Sequence, residues 1–219
     1  MYDFAKKKFE KLITLIGNND MKYFLLLLVL PFSLVSSPKT FDFKDPKGVN
    51  SVIFQLDALL ESINGSAGGI FGEVSFDPKN PKSTTGSIIL DASSLRVDNP
   101  ILQEHMHGKD WLNIERFPKI EFSFANLKKP QKSGRNLSAI ADGKMTIRNV
   151  TLKMPIPVEI TYLPEMLEKR NKVPGDLLVV RSNFVVKRDQ FGIKPGEYLD
   201  KVANDIEISI NLAGACPKP

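Results

Sequence analysis

The feature of this sequence that most constrains the fold is an alternation of apolar and polar residues with a period of two, which recurs in eight segments. The last segment, residues 206–212, alternates without a break and sets Ile206, Ile208 and Ile210 on one face. A period of two is typical of a β-strand that buries one face. Because short turns join most of the segments, the pattern predicts an all-β domain of eight antiparallel strands, built as a barrel or as a sandwich.

One face of each predicted strand is apolar, and together these faces form the candidate interior. The small residues Ala92, Ala139, Ala141 and Gly143 share it with several phenylalanines. The interior of an eight-stranded barrel is either filled by its side chains or wide enough for one small ligand. Small inward residues favour a hollow and matched sizes favour a solid core, and the pattern leaves both open. The candidate lining residues are Val52, Phe54, Leu56, Val74, Phe76, Ile88, Leu90, Ile120, Phe122, Phe124, Met145, Ile147, Met154, Ile156, Val158, Phe184, Val186, Ile206, Ile208 and Ile210.

One short helix interrupts the strands, and the sequence predicts it near residues 100–107. Asn99 can cap its first turn, and Pro100 suits the first helical position. Gly108 can end it in the left-handed conformation. A helix at this point of the chain can plug one end of a barrel.

Two other segments depart from plain alternation. Pro155 and Pro157 lie on the polar face of the sixth strand, where each lacks an N–H donor. Their spacing predicts a bulge or an edge that is poorly paired with its neighbour. Residues 163–176 are polar and interrupted by prolines, which indicates a loop or a short helix over one mouth.

No residue pattern indicates catalysis, a cofactor or a metal centre. The chain has neither a Gly-x-Ser-x-Gly motif nor a phosphate-binding loop. Its two histidines, His105 and His107, would point about 200° apart on a helix, so they cannot share a metal ion. The single cysteine, Cys216, leaves no internal disulfide, although it could join two chains of a homodimer. We therefore expect a protein that is not an enzyme.

The first 37 residues are typical of an export signal. Met21 and Lys22 precede an apolar run over residues 23–35, and small serines follow it. The run is shorter than the roughly 20 residues that a spanning helix needs. We expect Met21 to be the effective start and cleavage to fall between Ser33 and Thr40, with an uncleaved anchor as the alternative.

Removal of residues 1–37 leaves residues 38–219, a length that suits one domain with its own core. This part carries 25 basic and 22 acidic side chains. So small an excess, with no basic stripe, gives no indication of nucleic-acid binding. The export signal predicts a periplasmic or secreted domain with no stable membrane span.

Four short stretches occur in a fixed order within residues 50–213. They are Ser94-Leu95-Arg96 with Glu104-His105-Met106, Lys109-Asp-Trp-Leu-Asn113 with Phe117-Pro-Lys-Ile-Glu-Phe122, Gly143-Lys-Met-Thr-Ile-Arg-Asn-Val-Thr151, and Lys187-Arg-Asp-Gln-Phe-Gly-Ile193. Together they resemble the YceI-like family of exported lipid-binding proteins. The resemblance implies an eight-stranded, lipocalin-like antiparallel barrel whose interior holds a polyisoprenoid or other long-chain lipid. It also implies a periplasmic or secreted location and no catalytic residues.

Four positions depart from the family pattern that this resemblance implies. Asn50 and Asp57 stand where the family has histidines, and Gln103 replaces an aspartate. Asn149 takes the place of a glycine after Thr-Ile-Arg. Because these positions are polar ones near the mouth, the resemblance specifies the apolar tail of a ligand better than its head group.

Arg188 and His105 are candidates for closing the barrel or for contacting a head group. In the structural hypothesis Arg188 pairs with a carboxylate, and Phe191 inserts under the predicted helix. Under the alternative, Arg188 binds an anionic head group directly. The carboxylates considered as partners are Asp189, Asp110 and Glu115.

Two functions of different classes follow from these observations. The first is a periplasmic carrier or buffer of a polyisoprenoid or quinone-like lipid held inside the barrel. The alternative is an envelope or surface interaction protein with a solid barrel core, whose loops, especially residues 163–176, bind a partner. A hollow or a filled interior distinguishes the two.

Overall fold

Eight antiparallel strand paths close into a barrel, so the predicted all-β architecture is confirmed. The computed structural model describes residues 37–218, and the predicted signal peptide lies, apart from Ser37, outside the described residues. The helices are α1 (Pro100–His107) and α2 (Leu167–Asn171). The strands are β1 (Lys39–Asp42), β2 (Ser51–Asp57), β3 (Ser62–Ala67), β4 (Ile70–Phe76), β5 (Thr85–Asp91), β6 (Arg96–Val97), β7 (Lys119–Ser133), β8 (Asn136–Ile147), β9 (Val150–Leu163), β10 (Gly175–Lys187) and β11 (Asp205–Pro217).

Three of the eight paths are each split into two strands. β1 continues into β2, β3 into β4, and β5 into β6, while β11 pairs with β10 on one edge and with both β1 and β2 on the other. The sequence did not predict β1, β3 or β6. In β3, Asn64-Gly65-Ser66 has the composition of a turn, but it is a strand because the ring of Phe54 lies over Gly65. A Cβ atom at position 65 would be 2.1 Å from that ring.

Asn50 bridges the break between β1 and β2. The side chain is 3 % exposed. Its Nδ2 donates to the carbonyls of Phe43 (3.0 Å) and Ala213 (3.3 Å), and its Oδ1 accepts from the N–H of Ala213 at 2.8 Å. The amide thus replaces a strand neighbour for β11, and Asn50 serves a backbone-pairing role.

Helix α1 begins as the sequence predicts and ends differently. Asn99 Oδ1 accepts from the N–H groups of Ile101 and Leu102 at 3.0 and 3.1 Å. The expectation of a left-handed Gly108 is wrong, because its φ and ψ are −65° and 169°. Its N–H still bonds to the carbonyls of the last helical turn, and the left-handed residue comes later, at Asn113 with φ 51°.

The turn between β8 and β9 explains another departure from the family pattern. Arg148 and Asn149 have φ values of 49° and 64°. Two successive left-handed residues form the turn that suits a two-residue hairpin, and glycine and asparagine adopt this conformation most readily. Asn149 therefore meets the backbone requirement of this turn.

One end of the barrel is filled by side chains. Phe41 and Leu178 are fully buried there, and the ring of Tyr162 lies 6.2 Å from that of Phe41 and 5.9 Å from that of Phe76. The Tyr162 hydroxyl donates to Asp176 at 2.8 Å. Residues 163–176 contain the short helix that the sequence allowed, and its Leu167 is buried at 1 % exposure.

At the opposite end, Arg188 fixes the loop between β10 and β11. The side chain is 2 % exposed and its guanidinium lies 5.6 Å from the ring of Trp111. A guanidinium has five N–H donors, and here each one donates to a backbone carbonyl. The acceptors are the carbonyls of Ile193 (2.8 Å), Lys194, Glu197, Val202 (3.0 Å) and Ala203 (3.1 Å).

The predicted carboxylate partner of Arg188 is therefore wrong. Among the described residues, none of Asp189, Asp110 or Glu115 forms an ion pair with it. Burial lowers the pKa of the Arg188 guanidinium from its ordinary value, and the Asp189 and Glu197 carboxylates oppose that change. Carbonyl dipoles, rather than one counter-ion, compensate the buried charge.

The position expected for Phe191 is also wrong in detail. The ring is 1 % exposed and belongs to an apolar cluster with Met145, Ile147 and Val186. Trp111, from the segment after α1, packs against this cluster. Phe191 therefore lies beneath the segment that follows α1 rather than beneath the helix.

Replacement of Arg188 by alanine should destabilise the barrel. The substitution leaves five carbonyls without their donor, which should lower the free energy of unfolding by at least about 3 kcal/mol. For a domain of this size the melting temperature should fall by roughly 6–12 °C. Thermal unfolding followed by circular dichroism measures it, with Arg181→Ala, at an exposed residue of β10, as the control. An unchanged melting temperature would contradict the structural role.

The carboxylate of Asp45 fastens the β1–β2 connection to α2. Arg170 donates to it through both terminal nitrogens, at 3.1 and 2.9 Å. The N–H groups of Lys47, Val49 and Asn50 donate to the same carboxylate, whose side chain is 2 % exposed. Burial alone would raise the pKa of Asp45, but these hydrogen bonds outweigh it and lower the pKa to about 2.

This arrangement predicts a specific loss of stability in acid. A lowered pKa stabilises the fold above the ordinary value of 3.8, and the contribution disappears as pH falls through about 2. Near pH 6 we expect Asp45→Asn to be less stable than the native protein by about 2 kcal/mol. The difference should vanish near pH 2. Urea unfolding at several pH values between 2 and 6 tests this, and a difference that does not change with pH would refute it.

Candidate functional site

A cavity of about 820 Å³ occupies the half of the barrel opposite the filled end. This volume lies in the upper part of the range for small-molecule pockets, which is roughly 300–1,000 Å³. The side chains that surround it along the strands are apolar. The interior is therefore hollow at one end, which excludes the fully solid core of the alternative hypothesis.

All but two of the predicted lining residues lie on the wall of this cavity. The exceptions are Phe76, which packs against Tyr162 at the filled end, and Met154, which packs on the cluster around Phe191. Both face inward as predicted, but the space next to them is already occupied. Whether the wall residues contact a ligand remains a prediction.

The sequence analysis missed several residues of the cavity wall, because it did not locate all strands or the full length of those that it found. Ile63 and Ile70 line the cavity from β3 and β4, on either side of Gly68-Gly69. Ile70 is in phase with Val74, so an extension of the alternation toward the N-terminus would have found it. Phe43 lines the cavity from the connection between β1 and β2, where the short alternation Phe41-Asp42-Phe43-Lys44 was overlooked.

Three phenylalanine rings cover the wall instead of filling the lumen. The rings of Phe54, Phe122 and Phe43 lie directly over glycines of neighbouring strands, namely Gly65, Gly143 and Gly214. A Cβ atom at any of these glycines would come within 2.1–2.7 Å of the ring. Since each ring lies against the backbone of the next strand, its bulk is kept out of the centre. Of the two alternatives that the sequence left open, the hollow is the one present, and these glycines contribute to it by accepting rings and not by leaving gaps.

The polar groups of the cavity are confined to one end. This mouth is formed by residues 58–61, 98–118 and 188–202. Its ionisable or hydroxyl-bearing lining residues are Glu61, Glu104, His105, Lys109, Asp110, Arg188, Lys194, Tyr198 and Lys201. The site is therefore shaped for an amphiphile with one long apolar part and one polar end.

His105 and Arg188, the two candidate head-group residues, both lie at the mouth, but only His105 is available. Every N–H of Arg188 already donates to the protein backbone, so no donor is left for a ligand. His107 instead contacts the carbonyl of Leu95 at 3.0 Å. Within residues 37–218, no group of three or more potential ligands could hold a metal ion, and no helix is long and apolar enough to span a membrane.

The chain is similar in sequence to bacterial proteins of the UPF0312 group. A UPF0312 protein of Yersinia pestis is 28 % identical over 123 residues, which are 55 % of this chain and 62 % of that protein. A UPF0312 protein of Yersinia enterocolitica is 24 % identical over 97 residues, covering 44 % and 48 % of the two chains. The match to the first of these spans about three fifths of the relative's length.

Solved structures share the fold at low sequence identity. BcnA of Burkholderia cenocepacia has a TM-score of 0.61 at 19 % identity, over 75 % of this chain and 95 % of that one. A polyisoprenoid binding domain from Saccharophagus degradans has a TM-score of 0.60 at 7 % identity, over 83 % and 99 %. A Campylobacter jejuni YceI protein has a TM-score of 0.56 at 17 % identity, over 70 % and 85 %. At these identities the likeness concerns the barrel alone.

A family model that matches most of the chain identifies its family. The YceI-like domain model matches residues 45–213, from the connection before β2 to the middle of β11. This range contains nearly all strands of the barrel, α1 and the Arg188 loop. The chain belongs to the YceI-like domain family.

Proposed function

We propose that this protein binds one long-chain apolar lipid, a polyisoprenoid or an isoprenoid quinone-like molecule, inside the barrel. The observation that carries the proposal is the cavity of about 820 Å³ whose walls are apolar and whose polar groups stand only at the mouth. The polyisoprenoid binding domain of Saccharophagus degradans, which has the same fold, supports this class of ligand.

Burial of apolar surface is sufficient to hold such a chain. Each buried methylene contributes about 0.8 kcal/mol, so a five-carbon isoprene unit contributes roughly 4 kcal/mol before the cost of ordering the chain. The wall offers no polar groups along its length, so the chain is recognised by its length and thickness. Phe41, Phe76 and Tyr162 fill the far end and thereby set the depth to which a chain can enter.

The head group of the lipid would lie at the mouth. Lys109 and Lys201 line the cavity there together with His105, whereas Lys194 is 3.6 Å from its partner Glu197. Arg188 positions the loop that carries Lys194 and does not bind the head group itself. The departures at Gln103 and Asp57 alter polar residues in the segments that lead to this end.

A carrier or buffer of lipid in the periplasm, or outside the cell, is the role that fits best. Binding rather than catalysis is supported by the uniformly apolar wall, because the reactive part of a lipid would have to meet polar groups and these occur only at the mouth. Mass spectrometry of an organic extract tests this role. Protein purified from the envelope fraction without added lipid should carry one long-chain lipid per barrel, and an empty extract would argue against it.

Filling the lumen should abolish binding without unfolding the barrel. Ala141 is 2 % exposed and lines the cavity, so a phenylalanine there would project into the space of the ligand. We expect Ala141→Phe to weaken binding of a dansyl-labelled polyprenol at least tenfold. The measurement is energy transfer from Trp111, the single tryptophan of the chain, which lines the same cavity.

Ile140→Phe is the matched control, because the adjacent residue on β8 faces away from the cavity. It should bind the labelled polyprenol as the native protein does, and circular dichroism should confirm the β fold of both variants. Equal binding by Ala141→Phe and the native protein would mean that the ligand lies elsewhere.

A further inference from the structure

The barrel wall is incompletely paired between β9 and β10. These two strands pair only where Glu159–Leu163 faces Leu177–Arg181. The other neighbours of both strands are paired throughout, since β8 pairs with β9 from Asn136 to Ile147 and β10 pairs with β11 from Gly175 to Lys187. The remaining parts, Val150–Val158 of β9 and Ser182–Lys187 of β10, form what we call the seam.

Two prolines account for the missing pairing. Ser182 Oγ, on β10, donates to the carbonyl of Pro157, so this carbonyl faces the seam. In a strand, the N–H and C=O of one residue point to the same side and residues two apart point alike. The absent N–H groups of Pro155 and Pro157 therefore both lie on the seam edge. β10 can receive no backbone hydrogen bond from either position.

The seam is an unpaired stretch that is fixed at both ends. At one end the β9–β10 ladder stops at Glu159 and Arg181. At the other, Arg148 Nη1 donates to the carbonyl of Gly192 at 3.1 Å and joins the β8–β9 turn to the segment after β10. The strands are thus held together above and below a stretch that no backbone ladder joins and that the Ser182–Pro157 hydrogen bond crosses.

Both strand segments of the seam contribute side chains to the wall of the cavity. Ile156 and Val158 line it from β9, and Phe184 and Val186 line it from β10. Ile156 is 3 % exposed and Val186 is 4 % exposed, so the seam is closed by apolar side chains. On the outside, Val185 is 48 % exposed. Contacts among side chains, which a lipid chain can replace with contacts of its own, hold this part of the wall together.

We propose that the seam is a lateral passage through which the apolar chain of the ligand enters and leaves the barrel. The proposal rests on the lipid-binding function proposed above. Separation of β9 from β10 here breaks no ladder hydrogen bonds, whereas it would do so at the other strand pairs. The mouth is more restrained, because α1 and the loop held by Arg188 both lie across it. A lipid chain that passes between β9 and β10 leaves α1 and the Arg188 loop in place.

The test is a covalent staple across the seam. If the register of the paired part continued, Pro155 would face Val185, and both side chains point outward. Cysteines at these two positions, in a Cys216→Ser background, are joined with a short bis-maleimide. The matched control joins Glu159→Cys and Arg181→Cys, which lie directly opposite in the paired part of the same two strands. A monofunctional maleimide on each pair controls for the modification itself.

Rates of uptake and release of the dansyl-labelled polyprenol are then measured by energy transfer from Trp111. We expect the seam staple to slow both rates at least tenfold, while the amount bound at equilibrium stays the same. The control staple and the monofunctional adducts should leave the rates unchanged. Native rates in the stapled seam variant would overturn the lateral passage while leaving lipid binding intact. Absence of binding in every protein, the unmodified one included, would overturn both proposals.

A second variant closes the seam by backbone hydrogen bonding, without a cross-linker. The double substitution Pro155→Thr and Pro157→Thr restores both N–H donors, so the β9–β10 ladder can extend. Amide hydrogen exchange at Asn183 and Val185 should slow in this variant, and polyprenol exchange should slow with it. Protected amides together with unchanged polyprenol rates would also refute the passage.

Discussion

Closure of the backbone hydrogen-bond ring is the constraint on which the rest of this structure depends. A barrel has no free edge, so each strand is hydrogen-bonded on both sides. Because this pairing supports the strands along their length, part of the interior can stay hollow while the other part is packed. Where β1 ends and β2 begins, the side-chain amide of Asn50 replaces the missing strand neighbour of Ala213 and completes the backbone hydrogen bonding around the barrel. Between β9 and β10, two prolines leave this hydrogen bonding incomplete.

The two halves of the barrel differ in what keeps them stable. At the filled end, aromatic rings around Tyr162 and the buried pair of Asp45 and Arg170 supply both packing and polar contacts. At the hollow end there is no central packing, and the loop across the mouth is held through Arg188 instead. A buried arginine with five carbonyl partners is a local solution that does not require neighbouring side chains to meet in the lumen. The hollow thus coexists with a well-defined mouth.

Much of this architecture can be predicted from the sequence, and the misses have physical causes. The period of two identified the main strands and many of the residues that line the cavity, because the inward face of these strands is apolar. The same pattern missed β3. Gly65 and its polar neighbours have the composition of a turn, but they form a strand in which the ring of Phe54 packs on the backbone of Gly65. The prediction that Arg188 pairs with a carboxylate was wrong for a different reason. A sequence shows charged residues but does not show which backbone carbonyls a loop will bring together. The prolines of β9 did predict a poorly paired edge, since a missing donor is visible in the sequence itself.

An empty apolar cavity of this size is a state of high free energy, and this links the hollow to the function. Water gains few hydrogen bonds between apolar walls, and a void lacks the dispersion contacts of a packed core. Collapse of the wall is resisted by rings that already lie against glycines and by the ladder that fixes each strand. Occupation by a lipid chain is then the remaining way to lower the free energy, and bound ligand stabilises the fold by mass action. The seam fits this picture, because a barrel that exchanges its lipid needs a path for the lipid chain that leaves the ring of paired strands intact.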